Sequence, residues 1–327
     1  MKRIAFLLAV VFYGASILSP QAVAAPPPGK IVRIGYLVVS PLSDTPSPER
    51  AGFLKGLRAL GYEEGKNLIV EYRSADGAHD MLPFLADELV SLKVDAIVGM
   101  GSQVIRAAKE ATGTIPIVML FASDPVVLGF VESLSRPGAN VTGMTHMPAD
   151  VAAKRLQLLK ETLPSVAHVA VVWDGSNPGA VTERKAIEVG AKRLGIRVSP
   201  VDISQPQDPF ERITAIQPDA IVTIVDPQVA AYRESLPKFA LKRRLPTMFD
   251  WKGFIDAGGL VSYAPDFPEL SRRAAGFVDK IVNGANPAML PVEQPTTFEL
   301  IINLKTAKTL GVRIPDHILL RADKVIE

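Results

Sequence analysis

Ser47-Pro48, Asp124-Pro125, Asn177-Pro178 and Asp226-Pro227 each set a residue with a hydrogen-bond-accepting side chain directly before a proline, close after a predicted strand. The first residue type suits a helix N-cap and proline suits the first helical position, so each pair predicts a helix starting just after a strand or its loop. The opening N–H groups of a helix have no partners within it. Gathered along one sheet edge, they can hold a carboxylate without any basic side chain, and aspartates at the same edge can meet an ammonium group. Capping alone explains any single pair. Recurrence in both halves of the chain favours a shared cleft. The two tryptophans, Trp173 and Trp251, fall at or just after predicted strands, as do Phe121, Phe249 and Tyr263. Aromatics there can line a slot for a small molecule. Phe121 and Phe249 read rather as core, whereas the tryptophans sit beside capped loops where deep burial is awkward.

No set of residues is spaced for catalysis. His79, His146, His168 and His317 are scattered, without an H-E-x-x-H pattern or a close pair, so a metal site has little support. A G-x-S-x-G elbow and a P-loop are both absent. Gly99-Met100-Gly101 begins a dinucleotide fingerprint, but Val104 stands where its third glycine would be. No cofactor is expected. The chain lacks cysteine, which excludes disulfides, thiolate catalysis and cysteine-ligated metals. With 36 basic against 34 acidic residues and no run of one sign, it also lacks the basic stripe a nucleic acid would need. Binding is favoured over chemistry.

The elements that must position these residues alternate. Strands are predicted at Ile31–Val39, Asn67–Tyr72, Asp95–Gly99 and Ile115–Phe121. Helices are predicted from Ser47-Pro48 to Gly61, near Asp80–Leu92 and at Ser102–Ala111. The rhythm restarts after Thr145 with a helix Ala149–Leu163, a strand His168–Trp173 and a helix Pro178–Leu194. Strands Ile196–Val201 and Ala220–Val225, a helix from Pro227 to Lys242 and a short strand Pro246–Phe249 follow. Pro268–Val282 carries Leu270, Ala274, Phe277, Val278 and Ile281 on one helical stripe. This order predicts an α/β chain of two tandem halves, each a parallel sheet covered by helices. A length of 327 residues suits two domains. In such sheets ligands sit beyond the carboxyl ends of the strands.

The N-terminus predicts export. Lys2 and Arg3 precede an apolar stretch from Ile4 to Leu18, and Ala22-Val23-Ala24 offers the small-x-small pattern of a cleavage site. The stretch is shorter than a membrane anchor needs, and no cysteine follows it for lipid attachment. Residues 1–24 thus read as a signal peptide and 25–30, with three prolines, as a flexible leader. The expectation is a soluble periplasmic protein.

Gly52-Phe53-Leu54-Lys55-Gly56-Leu57 runs into Leu60-Gly61-Tyr62-Glu63-Glu64-Gly65-Lys66-Asn67, and Ser123-Asp124-Pro125-Val126 follows later. Further on come Arg136-Pro137-Gly138-Ala139-Asn140-Val141-Thr142-Gly143, Phe298 through Lys308, and Leu319-Leu320-Arg321-Ala322-Asp323. Together these resemble the substrate-binding proteins of ABC transporters, the family that includes the tryptophan and tyrosine uptake receptors. The resemblance covers essentially the whole chain after the signal. It implies a type I periplasmic-binding fold: two Rossmann-like lobes with parallel sheets, joined by hinge strands. The first lobe would comprise residues 31–145 plus about 264–290, and the second 146–263 plus about 291–327. The family's cleft loops correspond to Ser40-Pro41, Gly101-Ser102, Ala122-Ser123-Asp124, Trp173 through Asn177, Asp226 and Asp250, with Tyr263 nearby and Trp251 in a variable loop. Asp174 stands where relatives often carry Asn, which leaves the substrate open.

Three readings follow: a monomeric receptor that hands a small molecule to an ABC permease, a ligand-sensing module for a membrane partner, and an exported enzyme. The first is preferred. Its expected ligand is an amino acid or aromatic acid, its carboxylate on helix N-termini near Ser102 and Ser123 and its ammonium on Asp124, Asp226 or Asp250.

Overall fold

A computed structural model describes residues 30–146 and 148–327. The expected signal peptide and most of the leader lie outside the described residues. The chain opens with β1 (Val32–Val38), α1 (Pro48–Ala59), β2 (Leu68–Ser74), α2 (Leu82–Ser91), β3 (Ala96–Met100), α3 (Ser102–Ala111), β4 (Ile117–Ala122) and β5 (Val141–Thr145). The strands pair in the order β2-β1-β3-β4-β5, all parallel. Every residue of β4 is buried, as expected of a strand with helices on both faces.

Next come α4 (Pro148–Thr162), β6 (His168–Trp173), α5 (Pro178–Leu194), β7 (Arg197–Asp202), α6 (Pro209–Ile216) and β8 (Ala220–Thr223). They are followed by α7 (Pro227–Ala230), α8 (Ser235–Lys242), β9 (Thr247–Phe249), α9 (Gly253–Asp256) and β10 (Val261–Ala264). The chain then makes α10 (Phe267–Val282), β11 (Glu299–Asn303), α11 (Leu304–Leu310), α12 (Asp316–Leu319) and β12 (Lys324–Ile326). The second sheet runs β12-β11-β10-β9-β8-β6-β7. Its β7-β6-β8-β9-β10 portion repeats the order of the first sheet. The result is a two-lobed α/β molecule with, among the described residues, four buried apolar clusters, two against each sheet.

Local rules account for the main helices. Ser47 caps α1 by accepting from Arg50 N at 3.2 Å, Pro48 follows, and Phe53 and Leu57 turn inward. Asp266 caps α10 by accepting from Glu269 N, and the stripe from Leu270 to Ile281 is buried. α10 lies against α1, β4 and β5, while β11 and β12 lie in the second sheet. The chain therefore passes between the sheets after β5, after β10 and again before β11. At the third passage Val292 and Glu293 run beside β5, with Glu293 N donating to Gly143 O and Thr145 N to Glu293 O, both at 2.9 Å.

Several local expectations need correction. Asp124-Pro125 opens a series of turns rather than a helix: Asp124 Oδ1 accepts from Val126 N and Val127 N, and the chain bends away at Gly129. The helix expected from Pro227 to Lys242 is divided into α7 and α8. Pro237 could not donate to the carbonyl of Arg233 and would clash with it, so one continuous helix is blocked. The second sheet is not wholly parallel, because β11 runs antiparallel to β10.

Candidate functional site

A cavity of about 710 Å³ lies between the lobes, at the carboxyl ends of the strands. In each sheet the strand order reverses between the first and third strands, β1/β3 and β6/β8, and the cavity sits at both of these switch points. The helices after β1, β6 and β8 are closed by their own side chains: Ser47 on α1, Asn177 on α5 and Asp226 on α7. The helix after β3 is not. α3 begins behind Gly101 with no side-chain cap among the described residues, and Gly101 and Ser102 line the cavity there.

The first-lobe wall is largely aromatic and aliphatic. Tyr36, Met100, Phe121 and Phe267 line it, with the Phe121 and Phe267 rings 4.6 Å apart. Ser102, Ser123 and His146 are among its polar members. Ser123 N donates to Ser102 Oγ at 3.2 Å, and Ser123 Oγ stands 3.5 Å from His146 Nε2. Burial, helped by the charge on Arg155, pushes the His146 pKa down to about 3, so this imidazole is neutral.

The second-lobe wall is acidic. Asp226 Oδ1 accepts from Gln228 N at 2.6 Å, and Oδ2 accepts from Asn177 Nδ2 at 2.7 Å. Burial and the neighbouring Asp174 push its pKa up to about 7. Asp250 Oδ1 accepts from Thr223 Oγ1 at 2.9 Å, whereas Oδ2 has no partner among the described residues. Burial raises the Asp250 pKa against the pull of Arg155. Behind this wall α4 and α5 enclose an ion pair, Arg155 with Glu183, each about 2% exposed or less. Burial outweighs Arg155 at Glu183 and lifts its pKa to about 8.

The two walls touch around the cavity. Gln228 Nε2 donates to Gly77 O at 2.8 Å and to His79 Nε2 at 2.9 Å. Gln103 Nε2 donates to Ser176 Oγ at 3.3 Å, and Trp251 Nε1 to Glu49 Oε1 at 3.2 Å. At Gly179, in the first turn of α5, a β-carbon would collide with the Ser123 hydroxyl, so the lobes meet here because glycine has no side chain.

Of the residues singled out by sequence, Ser40, Pro41, Gly101, Ser102 and Ser123 line the cavity from the first lobe. Asn177, Asp226, Asp250 and Trp251 line it from the second. Four do not reach it. Ala122 is fully buried, its carbonyl accepting from Thr145 Oγ1 and His146 N. Asp124 spends its side chain on the turn that follows. Trp173 packs on the second-lobe core beneath the Arg184 guanidinium, 4.9 Å from the ring centroid. Tyr263 stacks on Phe298 at 5.7 Å. Sequence reasoning passed over Tyr36, Glu49, His146, Gln228 and Phe267. Glu49 directly follows the Ser47-Pro48 pair and reads there as an ordinary first-turn acid. The others carry no local signal, since tertiary packing alone brings them together.

Residues 38–326 match the family model described as ABC transporter substrate binding protein. The tyrosine-binding protein of Clostridioides difficile (strain R20291) is 27% identical over 280 residues, 84% of this chain and 80% of that protein. A solved conserved domain protein from Vibrio cholerae O1 biovar El Tor is 28% identical, covering 90% of this chain and 100% of that one, with a TM-score of 0.83. The ABC domain from Streptococcus pneumonia in complex with L-Trp shares the fold, at 24% identity, 90% and 99% coverage and a TM-score of 0.81. The architecture is that of type I periplasmic binding proteins. With its match running through both lobes and the cavity between them, the chain belongs to the ABC transporter substrate-binding proteins, a class of transport receptors and not of enzymes.

Proposed function

We propose that this receptor captures an amino acid between its lobes, in the periplasm after removal of the signal peptide, and delivers it as a monomer to an ABC permease. The observation that carries the reading is the opposed polarity of the cavity. An uncapped helix N-terminus at Ser102, with the Ser123 hydroxyl beside it, stands on one wall, and the carboxylates of Asp226 and Asp250 stand on the other. A zwitterion satisfies both walls at once: its carboxylate lies along the positive end of α3 and its ammonium among the acids. Two relatives, one a tyrosine-binding protein and one solved in complex with L-Trp, agree with that choice. Residues 31–145 with about 264–290, and 146–263 with about 291–327, would close as two bodies about the three passages between the sheets. The closed form is favoured only through contacts the ligand makes with both lobes.

Mass spectrometry of small molecules released from the purified protein tests the substrate class. Calorimetry with L-tryptophan and L-tyrosine, and with their amides and N-acetyl derivatives, tests the two ends. The free amino acids should bind and both blocked forms should fail. Binding of neutral sugars alone would overturn the reading. Small-angle scattering should show the radius of gyration falling when ligand saturates the protein.

A further inference from the structure

Of the bonds described above between the two walls, those made by Gln228 alone involve an imidazole. Gln228 stands in the first turn of α7, its backbone N–H held by Asp226 Oδ1 at 2.6 Å, and its side chain reaches the first lobe. There Nε2 donates both of its hydrogens, to Gly77 O at 2.8 Å and to His79 Nε2 at 2.9 Å. Gly77 takes a φ of +89°, a conformation that suits glycine, and its N–H donates to Val39 O at 2.8 Å. This loop is therefore tied to the end of β1. Gly77 and Gln228 line the cavity, and both are half-buried.

A carbonyl oxygen only accepts, so Gly77 fixes which way the Gln228 amide points. The atom facing His79 is then the amide nitrogen, and His79 Nε2 must be the bare nitrogen of a neutral imidazole. A proton on Nε2 sets donor against donor. Turning the amide over gives that proton an acceptor in Oε1 but sets the same oxygen against Gly77 O. Either way a bond is lost. The charged residues of the segments around this contact are Asp76 and Asp80 beside His79, Asp87 and Glu88 on α2, and Asp226, Arg233 and Glu234 on the opposing lobe. None pairs with His79. Asp76 accepts from Ser74 Oγ, Glu88 is bound by Arg73, and Glu234 is paired with Arg233 and Lys238. Asp226 is spent on Asn177 and on Gln228 N, and burial with Asp174 beside it raises its pKa to about 7, so in acid it carries little charge to hold an imidazolium.

We propose that Gln228 and His79 form a latch across the cleft, which holds the lobes together without the ligand and which acid releases. The latch rests on the hinge closure proposed above and is independent of what the substrate is.

Pulsed electron paramagnetic resonance of the purified, ligand-free protein tests it, with nitroxides on Glu110→Cys in the first lobe and Lys192→Cys in the second. Both positions are exposed, and the chain has no other cysteine to take the label. An imidazole gains its charge between about pH 8 and about pH 5. Over that interval the ratio of closed to open molecules should fall about three- to tenfold, which is what one net hydrogen bond supplies. His79→Gln, which keeps an acceptor oxygen but takes up no proton, should abolish the fall. Gln228→Leu should lower the ratio to a value that pH does not move, and should that variant fail to fold, His79→Gln decides alone. An equal fall in His79→Gln would overturn the latch. So would a wild-type distance that pH leaves unchanged while saturating L-tryptophan or L-tyrosine shifts it. A distance that neither acid nor those amino acids move would overturn hinge closure as well.

Discussion

In each lobe the helix after the leading strand packs on a helix that has just arrived from the other lobe: α1 on α10 in the first, α5 on α4 in the second. The two interfaces are built differently. α1 approaches α10 so closely that a β-carbon at Gly52 or Gly56 would collide with the carbonyl oxygens of Pro268 and Arg272. Tyr62 adds one buried bond across that lobe, donating to Asp279 Oδ1 at 2.8 Å. α4 and α5 instead enclose the Arg155–Glu183 pair, and Arg155 Nε and Glu183 Oε2 lack partners among the described residues. The cleft surfaces differ as well: Tyr36, Met100, Phe121 and Phe267 face it from the first lobe, and Asp226 and Asp250 from the second. One sheet order thus supports two kinds of stability: close backbone packing, indifferent to protonation, and buried charge, governed by it.

The sharpest way to break this contrast is to remove Arg155. Arg155→Leu leaves Glu183 and Asp250 buried without their cation and should cost about 3–5 kcal/mol of stability in urea unfolding. Arg155→Leu combined with Glu183→Leu should recover most of that loss, and a double mutant no better than the single would refute the contrast. On the cleft side, Asp226→Ala should weaken an ammonium-bearing ligand by about 1.5–3 kcal/mol in calorimetry. In the first lobe, Gly56→Ala should force α1 from α10 and cost about 1–3 kcal/mol, equally at pH 6 and pH 8. The smallest effect is the pH dependence of the ligand-free protein. Asp226 and Glu183 hold their protons more tightly folded than unfolded, with pKa values raised to about 7 and about 8, so their contribution is full in acid and declines as pH rises through those values. His146 is depressed to about 3 and acts oppositely: stability falls as pH drops below the usual histidine range, because only the unfolded chain takes up the proton. The decline begins in the ordinary carboxylate range, where two acids outweigh one histidine, so melting temperatures should peak at about pH 4–5 and fall toward pH 8, and Glu183→Gln should make that fall shallower.

Much of this arrangement is written in local sequence. α3, α5 and β6 fall at the residues that periodicity and capping predict, and Asn177 and Asp226 cap their helices as their proline neighbours imply. β5, β11 and β12 escape the strand pattern for a physical reason. β5 is five residues long with a glycine at its centre, and β11 takes its direction from β10 rather than from its own residues. The candidate site divides the same way. Residues that begin helices after strands are legible, because one short stretch of chain both caps the helix and faces the cleft. Tyr36 reads only as an inward strand residue, and Phe267 reaches the cavity because the chain has passed back between the sheets. Trp173 misleads, since a strand end does not reveal that Arg184 will cover the ring.

The two indoles have a consequence for observation. Trp251 joins the lobes through its bond to Glu49, while Trp173 is held beneath Arg184 against the second-lobe core, away from the cavity. On the hinge closure proposed above, opening the cleft would change the surroundings of Trp251 and leave those of Trp173 as they are. Emission from the first, read against the second, makes an unlabelled receptor its own optical gauge of closure.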